Sequence, residues 1–373
     1  MLRIIGYWRY QSNDPILGIE IGDINNSDKK QIIAYDRDGK ILILDEDGSL
    51  LFEDFICRGS AIWNAKIVND GDSLLLTGGF DGLLRLFKIK RPYKLEPKWA
   101  HRFGGSIGGI LIDYITNNKI KEILAYSLDK TLRILDLHTG NLIWGQIFED
   151  GIGDAFIWKK KNNFEEKEIW ACGNDATLRI FNGKDGELIH FKRFKNKVRC
   201  LTSFNLKGVD SKKPLIICGG DDAQLHIIDK NSFDEIKTMK FDNYVWKTKT
   251  FQDLLFVSTY SFEYFGISVP IEQLKFTSTL VCLNDKLEII WELPNENIEF
   301  LDIFKTSLNE FQHILSLGTT KGDIILLNPF SGTKIGKFTT KTCVNCLKFI
   351  SEKNLLISSH DDGSIRAFII KQK

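Results

Sequence analysis

The 373-residue sequence is short of several things, and each shortage narrows what the chain can be. Seven prolines leave no proline-rich linker, and no glycine- or serine-rich tract separates one half of the chain from the other. No excess of either charge exists: 50 Lys+Arg stand against 49 Asp+Glu, a net charge of +1. A dedicated nucleic-acid binder needs a clear basic excess to neutralise phosphates, so nucleic acid is not an expected partner. Uninterrupted apolar runs never approach the ~18 residues that cross a bilayer as a helix, and membrane insertion is not expected. The opening Met1 to Tyr10 returns to charge too soon for a signal peptide. Cysteines number seven, an odd count, and sit mostly inside apolar runs such as Leu215-Ile-Ile-Cys218. Reduced, buried thiols of that kind fit a cytoplasmic location. Helical periodicity is missing throughout.

What the sequence does have is a repeat. Phe80-Asp-Gly-Leu-Leu-Arg-Leu-Phe87, Leu128-Asp-Lys-Thr-Leu-Arg-Ile-Leu135 and Asn174-Asp-Ala-Thr-Leu-Arg-Ile-Phe181 share one pattern. Asp221-Asp-Ala-Gln-Leu-His-Ile-Ile228 and Asp361-Asp-Gly-Ser-Ile-Arg-Ala-Phe368 repeat it, with weaker copies at 37–44 and 320–327. Turn positions 38, 81, 129, 175, 222, 321 and 362 lie 43, 48, 46, 47, 99 and 41 apart, and the double interval holds a degenerate copy at 278–284. Each copy reads as four short strands joined by tight turns, since Asp-Gly between β-branched runs is a strong hairpin signal. Four strands every ~40–50 residues define a β-propeller blade. The expected architecture is all-β, one propeller domain over 1–373 with eight blades, or seven if the altered sixth copy is an insertion. The last copy, 343–373, lacks a fourth strand, and the chain begins with an orphan strand at 2–10. Pairing the two closes the ring and removes an open sheet edge.

These repeats resemble the WD40-like and quinoprotein-like propellers. Asp-x-Thr-Leu-Arg-Ile-x-Asp at 129–136 is similar to a WD40 third strand, and Ile134 to Trp144 resembles a quinoprotein repeat with its Thr-Gly turn and following Trp. Gly-His and Trp-Asp dipeptides are missing. The loop Gly22 to Ile33 resembles an FG-GAP loop, found in integrin-like propellers and in trafficking and signalling scaffolds. The resemblance implies a non-catalytic scaffold that presents loops and a channel mouth to other proteins, in a trafficking or signalling assembly. Its alternative is a quinoprotein-like enzyme or a small-molecule sensor using the central channel.

Repeat geometry accounts for most of the motifs that could carry chemistry. Calcium in the 22–33 loop would take oxygens from Asp23, Asn25 and Ser27, but Gln31 stands at the late carboxylate position. Gly104-Gly-Ser-Ile-Gly108 lacks the strand-to-helix turn of a nucleophile elbow. Cys343-Val-Asn-Cys346 has only His360 nearby as a further zinc ligand. Arg85, Arg133, Arg179, His226 and Arg366 follow each turn Asp by four residues, as scaffold packing requires. No cofactor, metal or catalytic residue is expected. The binding candidates are three. The aromatic insertion 260–277 offers Phe262, Tyr264 and Phe265, and the basic run 192–199 offers Lys192, Arg193, Lys195 and Lys197. Aligning the inner strands places Trp63, Arg199, Trp246, Glu299 and Asn345 at one early position, on the rim of the channel. Trp and Arg dominate binding hot spots.

Overall fold

A computed structural model describes residues 1–25, 29–116, 119–160, 163–207, 212–262 and 276–372. The strands form eight antiparallel sheets arranged as the blades of a β-propeller. Blade 3 shows the unit: Ile107–Asp113, Glu122–Ser127, Thr131–Asp136 and Leu142–Ile147, paired in chain order from the channel outward. The 260–277 insertion of blade 6 begins and ends as strand, with Phe276–Thr277 pairing back on Ser261 and Phe262. Residues 263–275, including Tyr264 and Phe265, lie outside the described residues. No helix among the described residues is long and apolar enough to cross a membrane.

Burial explains the strand sequences. Second strands such as Gln31–Asp36 and Leu355–His360 are buried at every position, because each is covered by a blade on both faces. They therefore read as continuous apolar runs rather than alternating ones. Fourth strands such as Leu142–Ile147 reach solvent and alternate. The turn between the second and third strands follows from its Asp. Oδ1 of Asp129, Asp175 and Asp362 accepts the N–H two residues later, and the other oxygen pairs with the Arg four residues on. The Arg179–Asp175 and Arg366–Asp362 contacts measure 2.9 and 2.8 Å. The recurring basic residue is thus a turn clamp.

Adjacent blades are joined by tryptophans of the fourth strands. Nε1 of Trp8, Trp99, Trp144 and Trp291 donates to a carbonyl in the next blade, at Glu46, Leu137, Gly183 and Pro329, over 2.8 to 3.1 Å. Each ring lies on a turn glycine of that blade. At Gly140 (φ +69°) a Cβ would come within 2.6 Å of the Trp99 ring, and at Gly48 (φ +86°) within 2.6 Å of Trp8. Where the pattern is broken, chemistry substitutes for it. Phe233, left-handed at φ 60°, stacks on His190 at 3.9 Å, and Lys237 Nζ donates to Leu287 O at 3.0 Å.

Closure uses the same device. The strand Leu2–Gln11 pairs antiparallel with Ser364–Gln372 as the outermost strand of blade 8, from Leu2↔Gln372 to Gln11↔Ser364. Its Trp8 then docks on blade 1. Arg9 and Arg366, paired across the two strands, share Asp362.

Two outcomes follow. Deleting 2–11 is expected to lower the melting temperature and drive aggregation, because blade 8 gains an open edge and blade 1 loses its dock; scanning calorimetry and light scattering check this. Gly140→Ala is expected to cost about 1–3 kcal/mol, from a strained left-handed backbone plus an overpacked ring, read by urea unfolding.

Candidate functional site

The eight inner strands share one irregularity. Pairing of first with second strand slips by a residue between Ile16/Gly18, Ile62/Asn64, Ile107/Gly109, Ile152/Asp154, Val198/Cys200, Val245/Lys247, Ile298/Phe300 and Val344/Cys346. The residues left over are Leu17, Trp63, Gly108, Gly153, Arg199, Trp246, Glu299 and Asn345. A β-bulge re-aims the side chain it carries. The rim positions aligned from sequence are therefore bulge positions, and Trp63 and Trp246 belong to blades 2 and 6, opposite each other in a ring of eight.

Several bulge residues meet a side chain at the end of the second strand of their own blade. Trp63 packs edge-on against Phe80 at 5.4 Å, and Trp246 lies 5.7 Å from Tyr260. Arg199 makes two 2.7 Å hydrogen bonds to Asp221, and its guanidinium sits 5.6 Å from the Trp246 ring. Asn345 Nδ2 donates to Asp361 Oδ1 at 2.8 Å. Blades 3 and 4 carry glycine at the bulge and leave Leu128 and Asn174 without such a cover. A cavity of about 530 Å³ opens at the centre of this face, with Trp63, Arg199, Trp246 and Glu299 all on its wall. Apolar surface surrounds it: Trp63, Phe80 and Leu128 are 51%, 54% and 54% exposed, and Trp246 is 37% exposed.

In several blades the residue after the bulge reaches the backbone of the next blade's inner strand. Asn64 Nδ2 donates to Gly108 O at 3.2 Å, and Lys247 Nζ to Glu299 O at 2.6 Å. Cys346 Sγ approaches Ile19 O at 3.9 Å. In blade 3 the position is Gly109, and Tyr126 from the second strand fills it; a Cβ there would lie 2.2 Å from the phenol oxygen. That hydroxyl reaches Asp154 Oδ1 at 3.5 Å, while Asp154 Oδ2 accepts the Leu201 N–H at 3.0 Å. Asp154 thus spans blades 3, 4 and 5 from the cavity wall. Burial pushes its carboxyl up to about 7, against the pull of the Leu201 and Ala155 N–H donors. Burial also holds the Lys247 ammonium below its usual range and raises the Cys200 thiol to about 12.

The remaining sequence candidates disperse. Lys192 pairs with Glu235 at 3.2 Å and Arg193 with Glu149 at 3.2 Å, both on the outer strand of blade 4. Lys195 and Lys197 lie in the linker to blade 5, on the cavity face. Phe262 ends the second strand of blade 6. In the 22–33 loop, Gln31 Oε1 accepts the Ile24 N–H at 3.1 Å, and Glu122 caps the cognate loop of blade 3 through Ile115 and Thr116. His360 bonds Ser358 Oγ at 2.7 Å, and burial raises the Cys343 thiol to about 12. Among the described residues no group of three His, Cys, Asp or Glu side chains is placed to hold a metal. Phe80, Leu128 and Asp154 escaped the sequence reading. Their signal was positional: they precede the turn Asp or follow the bulge in each copy.

A family model described as "WD domain, G-beta repeat" matches residues 332–368, the outer strand of blade 7 and three strands of blade 8. Among solved structures, the computationally designed Ika8 protein is 14% identical with a TM-score of 0.70, covering 96% of this chain and 97% of that one. Sqt1 of Saccharomyces cerevisiae is 10% identical with a TM-score of 0.75 over 98% of each chain. BamB from Moraxella catarrhalis is 15% identical with a TM-score of 0.64, over 100% of this chain and 99% of its own. No curated protein matches the sequence. At these identities the likeness is one of fold, and it joins the WD40-like and quinoprotein-like propellers that the repeats resemble.

Asp154 makes stability depend on pH with a definite sign. Its native carboxyl keeps the proton between 3.8 and about 7, where the unfolded chain has lost it. Its contribution is therefore fully present below pH 3.8 and lost as pH rises to about 7, at up to roughly 1.4 kcal/mol per unit. Asp154→Asn is expected to remove this slope, so the difference between wild type and variant in urea midpoint should grow from pH 4 to pH 7 and then level.

Proposed function

We propose that the chain is a non-catalytic protein-interaction scaffold whose docking face is the bulge rim. The observation that carries this is the cluster of Trp63, Phe80, Leu128 and Trp246, exposed together around one cavity. Exposed aromatic groups beside a concavity are what a partner's anchor side chains need, and truncating such residues removes much of an interface's energy. The turn clamps, tryptophan docks and latches hold the rim rigid, so little ordering cost accompanies association. The WD40-type fold is itself typical of scaffolds that bind other proteins. Fold alone assigns no chemistry, and the reading rests on the surface.

The Trp63→Ala/Trp246→Ala double variant tests this. Both rings are over a third exposed, so the melting temperature is expected to hold within a few degrees. Recovery of binding proteins from extract of the native cell is expected to fall at least tenfold. A stable double variant that recovers the same proteins in the same amounts excludes the rim as the docking face.

A further inference from the structure

Cations on the cavity wall already have partners. Arg199 is held by Asp221, Lys249 by Asp302 at 2.8 Å, and Lys247 Nζ donates to the Glu299 backbone carbonyl at 2.6 Å. Asp154 has no cationic partner among the described residues; it accepts two backbone N–H groups and the Tyr126 hydroxyl. A carboxylate has about four acceptor positions, so one stays open. The wall is also cut away beside Asp154. On blades 2, 5, 6, 7 and 8 the bulge carries Trp63, Arg199, Trp246, Glu299 and Asn345, whereas blades 3 and 4 carry Gly108 and Gly153. Side chains are missing from the rim at the blade that holds Asp154 and at its neighbour.

We infer that the cavity takes the cationic side chain of an arginine or lysine from a protein partner, with Asp154 as counter-ion and the Trp63 and Trp246 rings flanking its entry. Aromatic faces attract a cation, most strongly where water is excluded. Pairing relieves a carboxylate that otherwise costs stability at neutral pH. A partner protein is the source, rather than a free cation, because Phe80 and Leu128 extend the apolar surface outward from the cavity. A small ligand would leave that surface uncovered. The inference rests on the reading of this face as the docking face.

The groups facing Asp154 leave it alone to titrate near neutrality. Burial holds the Tyr126 phenol from blade 3 and the Cys172 thiol from blade 4 well above their usual ranges, and the Cys200 thiol of blade 5 at about 12. Binding of a cation is therefore expected to strengthen from pH 6 to pH 8.

A phage-displayed library of random 12-residue peptides, panned on the whole chain, supplies the probe. Enriched peptides are expected to share one Arg or Lys. By fluorescence anisotropy, its replacement with Gln should weaken binding at least tenfold. Asp154→Asn should weaken the parent peptide equally and the Gln peptide no further. Asn retains an acceptor for the Leu201 N–H, and Asn64 holds the same repeat position in blade 2, so the variant is designed to fold. The wild-type pH profile tests the same point without any substitution. Peptides that need Trp63 and Trp246 but carry no basic residue, or a flat profile from pH 6 to 8, overturn the inference and leave the docking face intact. Failure to recover any peptide that needs the two tryptophans counts against both. Agmatine binding that is lost in Asp154→Asn, with no basic peptide enriched, overturns the protein source in favour of a free cation.

Discussion

A blade of this protein cannot be stable alone, and the rest of the structure is organised around that fact. The second and third strands are apolar on both faces, so each sheet needs a neighbour on either side. In a linear stack the two end blades would each keep one bare face; a ring has no ends. What the sequence must then provide is a means of setting each blade at the correct angle to the next. The tryptophan docks do this at the periphery and the bulge latches at the channel, so junctions that carry both, such as blade 2 to 3 and blade 6 to 7, are fixed at two radii. Substitutions respect the pairing: His190 with Phe233 or Lys237 with the Leu287 carbonyl replaces tryptophan on glycine without opening the junction.

The bulge has a second role. Because the irregularity recurs eight times, every inner strand delivers one side chain to the rim at an equivalent place, whatever that side chain is. Backbone geometry is held constant while residue type varies from Gly to Trp. The rim is therefore the part of the molecule where sequence can change with little effect on folding, and it is where the aromatic, ionic and bare sectors are found.

The repeat, its four strands, the eightfold count and the closing strand were legible in the sequence because turn Asp residues and apolar runs are local signals. Trp63, Arg199, Trp246 and Glu299 were legible for the same reason: equal offsets from the repeat marker. The partners of those residues were not. That Phe80 lies against Trp63, or that Asp154 reaches blades 3 and 5, depends on blade packing, which links residues tens of positions apart. The basic run 192–199 is continuous in sequence but divided in space. Alternation along Leu188–Arg193 and a change of element after it send Lys192 and Arg193 to the outer edge and Lys195 and Lys197 to the cavity face.

The strand Leu2–Gln11 is the first part of the ring to be synthesised and pairs with the part synthesised last. At translation rates of about 5–20 residues per second, the intervening chain takes roughly 18–70 s to emerge. During that time Trp8 can reach its seat on blade 1, some 40 residues away, well before the strand it pairs with exists. The long-range closure is thereby divided into an early short step and a late one. The N-terminal strand need not find blade 8 only once the whole chain is made; held on blade 1, it lies beside the place where blade 8 must arrive.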